Sequence, residues 1–595
     1  MNRTLHSLTE HWKIGLSILF CIGVFLFWHL AYPAHLAFQE QLQLFLFDSN
    51  YLIERIVVPG GVANYLSDFL IQFYYHTWAG SIILAVLFLW MQRLTWSVAK
   101  HQGTSELYYP LSFIPAIVVW YFMTDENAML SYLIALIWML QGMRRYQQMQ
   151  GQRQRMLYAL FSLPVLYWIA GPVHFILAFW MMVHELQITF RNCYRFQGIA
   201  IAVSICLLAI ACPLLSTIVA QYSIPRLMVG TEYYRYPQAI PPAWVASLIV
   251  MTITPLLLPC LPDAKKRKSG IILLGIALTA LGGGWLIKSG CNFEKEEAIL
   301  YDRLAHRERW QEIIERAEKK APTTPQGVTC LNLALGMTGQ LTDRLFEFYQ
   351  NGSKGLIQHF SHDIVFSLCS SEVHYQLGMV SATQQMMFEV MSSIPIHQLD
   401  ARCLKRLAET NLINGHYEVA AKYLRTLQKS LYYKRWADHV LKFLYNEANI
   451  NNHPTWGRLR KTSFKEDFLY TGNQMVNLLG VLFQDNNSNR LAYDYLMTHL
   501  LLDCDLQHVV EYLPLIQYTN YKQLPRAFQE ALVYDWAQKH TNFDGMPWKV
   551  SENVKQGMRE FIKLYNSPAQ TGKQEMLKAR FGKTFWYYHT TNYKN

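Results

Sequence analysis

Three ionisable residues, His174, His184 and Glu185, fall inside one apolar stretch of a 595-residue chain. Imidazoles and a carboxylate in such a stretch suit a proton relay, because ionisable groups are costly in hydrocarbon and are usually retained for a task. His174 sits near one end of the stretch and His184-Glu185 near the other, so two water interfaces account for them without any relay. Transport therefore ranks low. The chain has no His-Glu-x-x-His, no Gly-x-Ser-x-Gly and no Walker loop, so no metal, cofactor or activated nucleophile is expected from motifs. Its ten cysteines form no Cys-x-x-Cys pair, which removes the zinc-ribbon and thioredoxin-like readings. Ser289-Gly290-Cys291 has the shape of a lipoprotein cleavage box, but it lies deep in the chain and Lys288 stands where an apolar residue belongs.

The elements that carry these residues are apolar runs of the length a helix needs to cross hydrocarbon. We read nine: Ile14 to Ala31, Trp78 to Thr95, Leu107 to Met123, Asn127 to Met143, Met156 to Ala170, Pro172 to Ile188, Gly198 to Val219, Ala243 to Leu261, and Gly270 to Ile287. The fifth and sixth are short and separated only by Gly171-Pro172, so they also fit a shallow hairpin. The first is too long, and lacks a small-residue cleavage site, for a removable signal peptide. Gly282-Gly283-Gly284, inside the ninth, suits close helix packing.

Charge orients these runs. Of the net +11, most lies in residues 1–290, which hold 18 Lys and Arg against 11 acids. The alternating short loops carry Arg3, Lys13, Arg93, Lys100, Arg144, Arg145, Arg153, Arg155, Arg191, Arg195 and Lys265 to Lys268 on one side. Only Arg55, Arg226 and Arg235 face the other. That bias places the N-terminus in the cytoplasm and everything beyond about Cys291 outside. It also explains the positive charge without nucleic acid as a partner.

Residues 1–290 are thus expected to form a polytopic transmembrane domain with two long outer loops. The first, 32–77, holds Leu36 to Phe47 and Tyr65 to Tyr75, which read as amphipathic helices in the interface plane around a Pro59-Gly60-Gly61 turn. The second, 221–242, is rich in tyrosine. Residues 291–595 lack strand alternation and hairpin signals, so the fold class is all-α throughout. Leu404, Leu407, Ala408, Asn411, Gly415, Tyr417, Ala420, Leu424 and Leu427 fit a tetratricopeptide helix pair, with fainter echoes around Gly339 and Gly378. A helical solenoid is expected there. From Gly545 to Asn595 nine basic residues face three acids, with Phe585, Trp586, Tyr587, Tyr588 and Tyr593 near the end. A solvated helix face is the preferred reading, with anionic lipid or an acidic glycan as the other.

The layout of an acid soon after the first span and a later long outer loop resembles the GT-C superfamily of lipid-linked sugar transferases. That resemblance implies Glu40 as general base, Asp48 as second acid, and Arg226 or Arg235 as partner of an isoprenoid phosphate. No Asp-x-Asp or Asp-Glu pair follows the first span. A second resemblance rests on Tyr32-Pro33, Gln39 to Phe45, Pro59-Gly60-Gly61 and Phe69 to Phe73. These are similar to an uncharacterised family of bacterial multi-pass membrane proteins ending in a tetratricopeptide-like domain. It implies an inner-membrane location with a periplasmic C-terminal domain, and no activity. The expected function is a membrane-embedded scaffold whose periplasmic repeats bind a protein, peptide or glycan partner in envelope biogenesis, with membrane lipids as neighbours. The alternative is a transferase using a lipid-linked donor at the outer leaflet.

Overall fold

A computed structural model describes residues 2–191, 195–229, 241–263, 268–358, 363–394, 399–464, 474–568 and 572–592. Every regular element among the described residues is helical. The chain divides into two units. The first is Met1–Asn292 together with two short later segments, Ile394–Ala401 and Thr426–Lys434. The second is Phe293–Ser393, Arg402–Arg425 and Arg435–Asn595.

The first unit contains α1 (Asn2–Leu26), α2 (Pro33–Leu42), α3 (Ser49–Ile56), α4 (Gly61–Ile71), α5 (Thr77–His101), α6 (Ile114–Met123) and α7 (Leu130–Gln147). It continues with α8 (Gln152–Ala170), α9 (His174–Arg191), α10 (Arg195–Ser216), α11 (Ile224–Val229), α12 (Pro242–Leu257), α13 (Lys268–Ala277) and α14 (Gly283–Gly290). Among the described residues, seven helical segments are long and apolar enough to cross a membrane: His11–Ala31, Thr77–His101, Glu106–Met123, Gln152–Phe190, Gln197–Ser216, Pro242–Cys260 and Lys268–Gly290.

Nine spans were expected, and the difference has two physical sources. Gln152–Phe190 is broken at Gly171, whose φ of 74° only glycine adopts freely, with Pro172 behind it. The two halves, α8 and α9, pack on each other. The other source is α7, which ends in Gln141, Arg144, Arg145 and Gln147 and is too polar to qualify. It is nonetheless the element against which α4, α5, α8 and α9 all pack, and most of it is buried.

The outward face of this unit is apolar. Leu273, Leu274, Leu281 and Trp285 on the last segment are each at least 70% exposed. Holding such side chains in water forfeits about 1.5–3 kcal/mol apiece, so hydrocarbon is the solvent this face is made for. Inside, Trp28, Phe88, Met91, Tyr132, Leu136, Met139 and Trp180 form a continuous core.

The second unit comprises α15 (Phe293–His306), α16 (Trp310–Lys319), α17 (Pro325–Met337), α18 (Leu341–Arg344), α19 (Ile364–Leu377), α20 (Val380–Ser393), α21 (Ala401–Ile413), α22 (Tyr417–Leu427) and α23 (Lys434–Val440). It goes on through α24 (Glu447–Asn452), α25 (Pro454–Thr462), α26 (Met475–Asp485), α27 (Arg490–Leu502), α28 (Leu506–Tyr512), α29 (Arg526–Lys539), α30 (Glu552–Tyr565), α31 (Lys573–Phe581) and α32 (Phe585–Asn592). Helices α21 and α22 join at Gly415, and their inward residues Leu404, Leu407, Ala408, Ala420, Leu424 and Leu427 are buried. Gly339, Gly378 and Gly415 all have positive φ where one helix hands over to the next, the position at which a left-handed residue ends a helix. The core runs through Leu331, Leu335, Val373, Leu377, Leu479, Leu496 and Phe528.

Candidate functional site

Residues 32–77 of the first unit are where sequence placed the candidate acids. Tyr32 leaves the helical region, and Pro33 starts α2 at a position where its missing N–H costs nothing. The helix is buried nearly all round, including His35, Gln39 and Glu40. It was expected to lie in the interface plane with a polar side to water. Instead its polar residues find partners inside the protein: the Gln39 amide donates to the Ala128 carbonyl at 2.8 Å. The turn before α4 is as tight as its sequence suggests. A Cβ on Gly61 would fall 1.7 Å from the Arg55 carbonyl oxygen, so no other residue fits without moving the backbone.

Glu40 is 5% exposed. The Tyr433 hydroxyl donates to both of its oxygens, at 2.9 and 3.0 Å. Burial first, and then the charges of Glu40 and Asp400, hold the Tyr433 phenol well above its usual range, so it keeps the proton it donates. One turn of chain earlier, the Lys429 ammonium reaches Asp48 at 2.8 Å. Backbone hydrogen bonds from Leu44 to the Leu399 carbonyl and from Phe47 to the Lys429 carbonyl fix the same segments. Tyr75 stacks on Tyr432, ring centroids 4.7 Å apart and nearly parallel. Both predicted acids are therefore brought together by one short stretch, 429–433, which sequence reasoning did not single out.

Of the predicted phosphate partners, Arg226 falls among the described residues. Arg226, on α11, lies over the Tyr222 ring at 4.4 Å. Arg235 lies outside the described residues. Beside Glu40, Gln43 is 1% exposed, and neither polar atom of its side chain has a hydrogen-bond partner among the described residues.

Three further clusters went unread in the sequence. Within residues 32–77 the fully buried Asp68 accepts from the Tyr51 hydroxyl at 2.7 Å and pairs with Arg55 at 3.3 Å. In the bundle Glu185, expected to be solvated at a helix end, is 2% exposed. It is neutralised by Arg155 at 2.5 Å and by the Tyr146 hydroxyl at 2.9 Å. His174 bridges toward the carbonyls of Gly171 and Ala209, and His184 stacks on Trp180, so the three form no relay. In the second unit Arg402 holds Asp302 and Glu372, while Arg406 holds Glu372 and Glu409. His306 adds a 2.8 Å contact to Glu372. Burial acts to raise the Glu372 carboxyl, but Arg406, His306 and Arg402 outweigh it and keep the group well below the usual carboxylate range. The one readable signal was the Arg402, Arg406, Glu409 spacing, which puts all three on one helix face.

The second unit also carries a groove of about 740 Å³. Tyr521, Trp548, Leu524 and Val550 give it apolar walls, and Lys522, Lys549, Gln517, Gln523 and Gln529 give it polar ones. Among the described residues neither lysine has an ion-pair partner. Gln529 accepts from the Ser551 N–H at 2.8 Å, which fastens one wall to the other. Among the described residues no group of three His, Cys, Asp or Glu is placed to hold a metal ion.

Compared with known protein families, residues 10–592 match a family of unknown function, DUF6057. No curated protein and no solved structure matches the chain.

Proposed function

This chain belongs to the DUF6057 family, and we propose that it is a membrane-embedded scaffold whose helical second unit binds an extended, acidic peptide segment of an envelope protein. In this reading the first unit crosses the bacterial inner membrane nine times, with α7 as a span and α8 and α9 as a hairpin pair. The N-terminus is cytoplasmic and the tetratricopeptide-like helix pairs are periplasmic. The observation that carries the proposal is the groove between Tyr521 and Trp548. Its volume lies within the range of roughly 300–1,000 Å³ typical of ligand sites. Two unpaired lysines favour a carboxylate-bearing occupant, and the amide side chains supply donors and acceptors for a peptide backbone. Stacked helix pairs commonly bind peptides in this way.

The outer segment supports the same reading. Glu40 and Asp48 are engaged by Tyr433 and Lys429, so these acids serve to build the first unit. The test is a photoreactive amino acid at Gln523 in living cells, with Gln556 on the exposed face of α30 as the control site. The scaffold reading expects an adduct at 523 that disappears with Trp548→Ala. Equal labelling at 523 and 556 sinks it.

One observation favours the transferase alternative: Gln43, buried and unpartnered one turn from Glu40, is the kind of group a substrate hydroxyl would satisfy. Under that reading Glu40 is the base, Asp48 the second acid, and Arg226 or Arg235 the phosphate partner. Native mass spectrometry of gently extracted protein decides it. A co-purifying isoprenoid phosphate lost in Gln43→Leu supports the enzyme, and reproducible absence removes it.

A further inference from the structure

A cleft of about 440 Å³ opens between α5, α7, α8 and α9 in the first unit. Its composition is graded along its length. Where α7 ends and α8 begins, it is lined by Arg144, Arg145, Gln148 and Tyr158. Farther along α8 the lining becomes Val165, Leu166 and Ile169, faced by Trp90 and Leu94 of α5 and Leu177 of α9. From Tyr158 to Ile169 the cleft follows α8 for about 16 Å at the helical rise. Such a cavity, cationic at one end and hydrocarbon-lined for the rest, has the polarity of a single amphiphile.

The charges at its head are available. Both arginines are exposed, and among the described residues neither has an ion-pair partner. The nearby Arg155 differs, because Glu185 consumes it within the bundle. Partway along the cleft, the buried Ser162 hydroxyl also has no hydrogen-bond partner among the described residues. A helix serine ordinarily satisfies itself on the carbonyl one turn back. Ser162 does not, and it faces the path from the arginines to the apolar wall.

We propose that this cleft binds one anionic phospholipid, its phosphate on Arg144 and Arg145 and an acyl chain along Val165, Leu166 and Ile169. Guanidinium pairs recognise phosphate by charge and by forked hydrogen bonds. Basic pockets between transmembrane helices are a known form of headgroup recognition. Zwitterionic lipid offers the same chain without net charge, so the arginines set the selectivity. Free phosphate offers the charge without the chain, so the apolar wall sets the preference for lipid over the ion.

The experiment is native mass spectrometry of the full chain released from nanodiscs of equal phosphatidylglycerol and phosphatidylcholine. The wild type is expected to retain one phosphatidylglycerol. Arg144→Gln with Arg145→Gln should weaken retention about fivefold per arginine. Arg153→Gln, a cation near the same helix end but outside the cleft, should leave it unchanged. Should the double variant fail to fold, Val165→Trp fills the apolar wall without touching the charges and is expected to abolish retention. Equal loss in Arg153→Gln, undiminished retention in both cleft variants, or displacement of the lipid by millimolar inorganic phosphate would each overturn the proposal.

Discussion

Glu40 in the first unit and Glu372 in the second are both carboxylates taken out of water, and one has a neutral phenol beside it where the other has guanidiniums. Glu372 is surrounded by charge, two guanidiniums that Asp302 and Glu409 share, with the His306 imidazole also in contact. Glu40 receives a neutral phenol on both oxygens. A charge network of that density resists exchange, because removing any member strands the others in a medium that solvates them poorly. A phenol hydrogen bond has a net worth of only about 1–3 kcal/mol even to a charged acceptor, so a competing hydroxyl can replace it. The second unit therefore uses its buried acid as a lock. The first unit fastens one of its buried acids to residue 433 through a neutral donor.

Breaking the lock should have the largest effect. Arg402→Met leaves Asp302 and Glu372 short of their shared cation and is expected to cost about 3–5 kcal/mol. Hydrogen exchange in peptides covering α19 and α21 of the full chain measures it. Replacing Asp302, Glu372 and Arg402 together with apolar residues of similar size should recover much of that loss. A triple variant no better than the single one would show that Glu372 is held by something other than balanced charge.

The milder side of the comparison is Tyr433→Phe, which removes the donor from Glu40. The expected loss is about 1–3 kcal/mol, read as faster exchange over residues 33–47. Adding Glu40→Leu should restore protection, because the buried carboxylate that lost its phenol is then gone. A double variant worse than Tyr433→Phe alone would mean that Glu40 has a more demanding partner than the phenol.

The smallest effect is a pH slope. Burial first, and then Arg402, push His306 down to about 3. The unfolded chain takes up a proton below about pH 6.5 that the folded chain refuses, so stability falls as pH drops from 6.5 toward 3. The slope from one such group is at most about 1.4 kcal/mol per pH unit. Urea titrations at pH 7 and pH 5 should show a smaller acid loss in His306→Gln than in the wild type. Identical losses would mean that the imidazole is charged inside the fold, beside Glu372.

What sequence could disclose tracks the range of the physics involved. Apolar runs announce lipid-facing helices because hydrocarbon length is a local requirement, and Gly171-Pro172 announces its break for the same reason. Gly339, Gly378 and Gly415 mark helix ends because a left-handed residue is also a local demand. Fewer segments than the nine runs stand out by length and apolarity, because α8 and α9 follow each other without a gap and α7, enclosed by other helices, ends in polar residues. Ion pairs fared worst. Asp302 and Arg402 are 100 residues apart in sequence, and no periodicity connects them. Glu40 was found by its position after the first span. What could not be seen was that its hydrogen-bond donor arrives from residue 433.

That separation has a bearing on biosynthesis. A ribosome that has just completed Asn292 has already made every helix α1–α14 of the first unit. Residues 32–77 still lack Leu399, Lys429 and Tyr433, which hold them from 393 positions downstream in the case of the Glu40 bond. Maturation of that segment must wait for about 140 further residues to be translated, and a product truncated at the unit boundary would carry a buried acid missing its phenol.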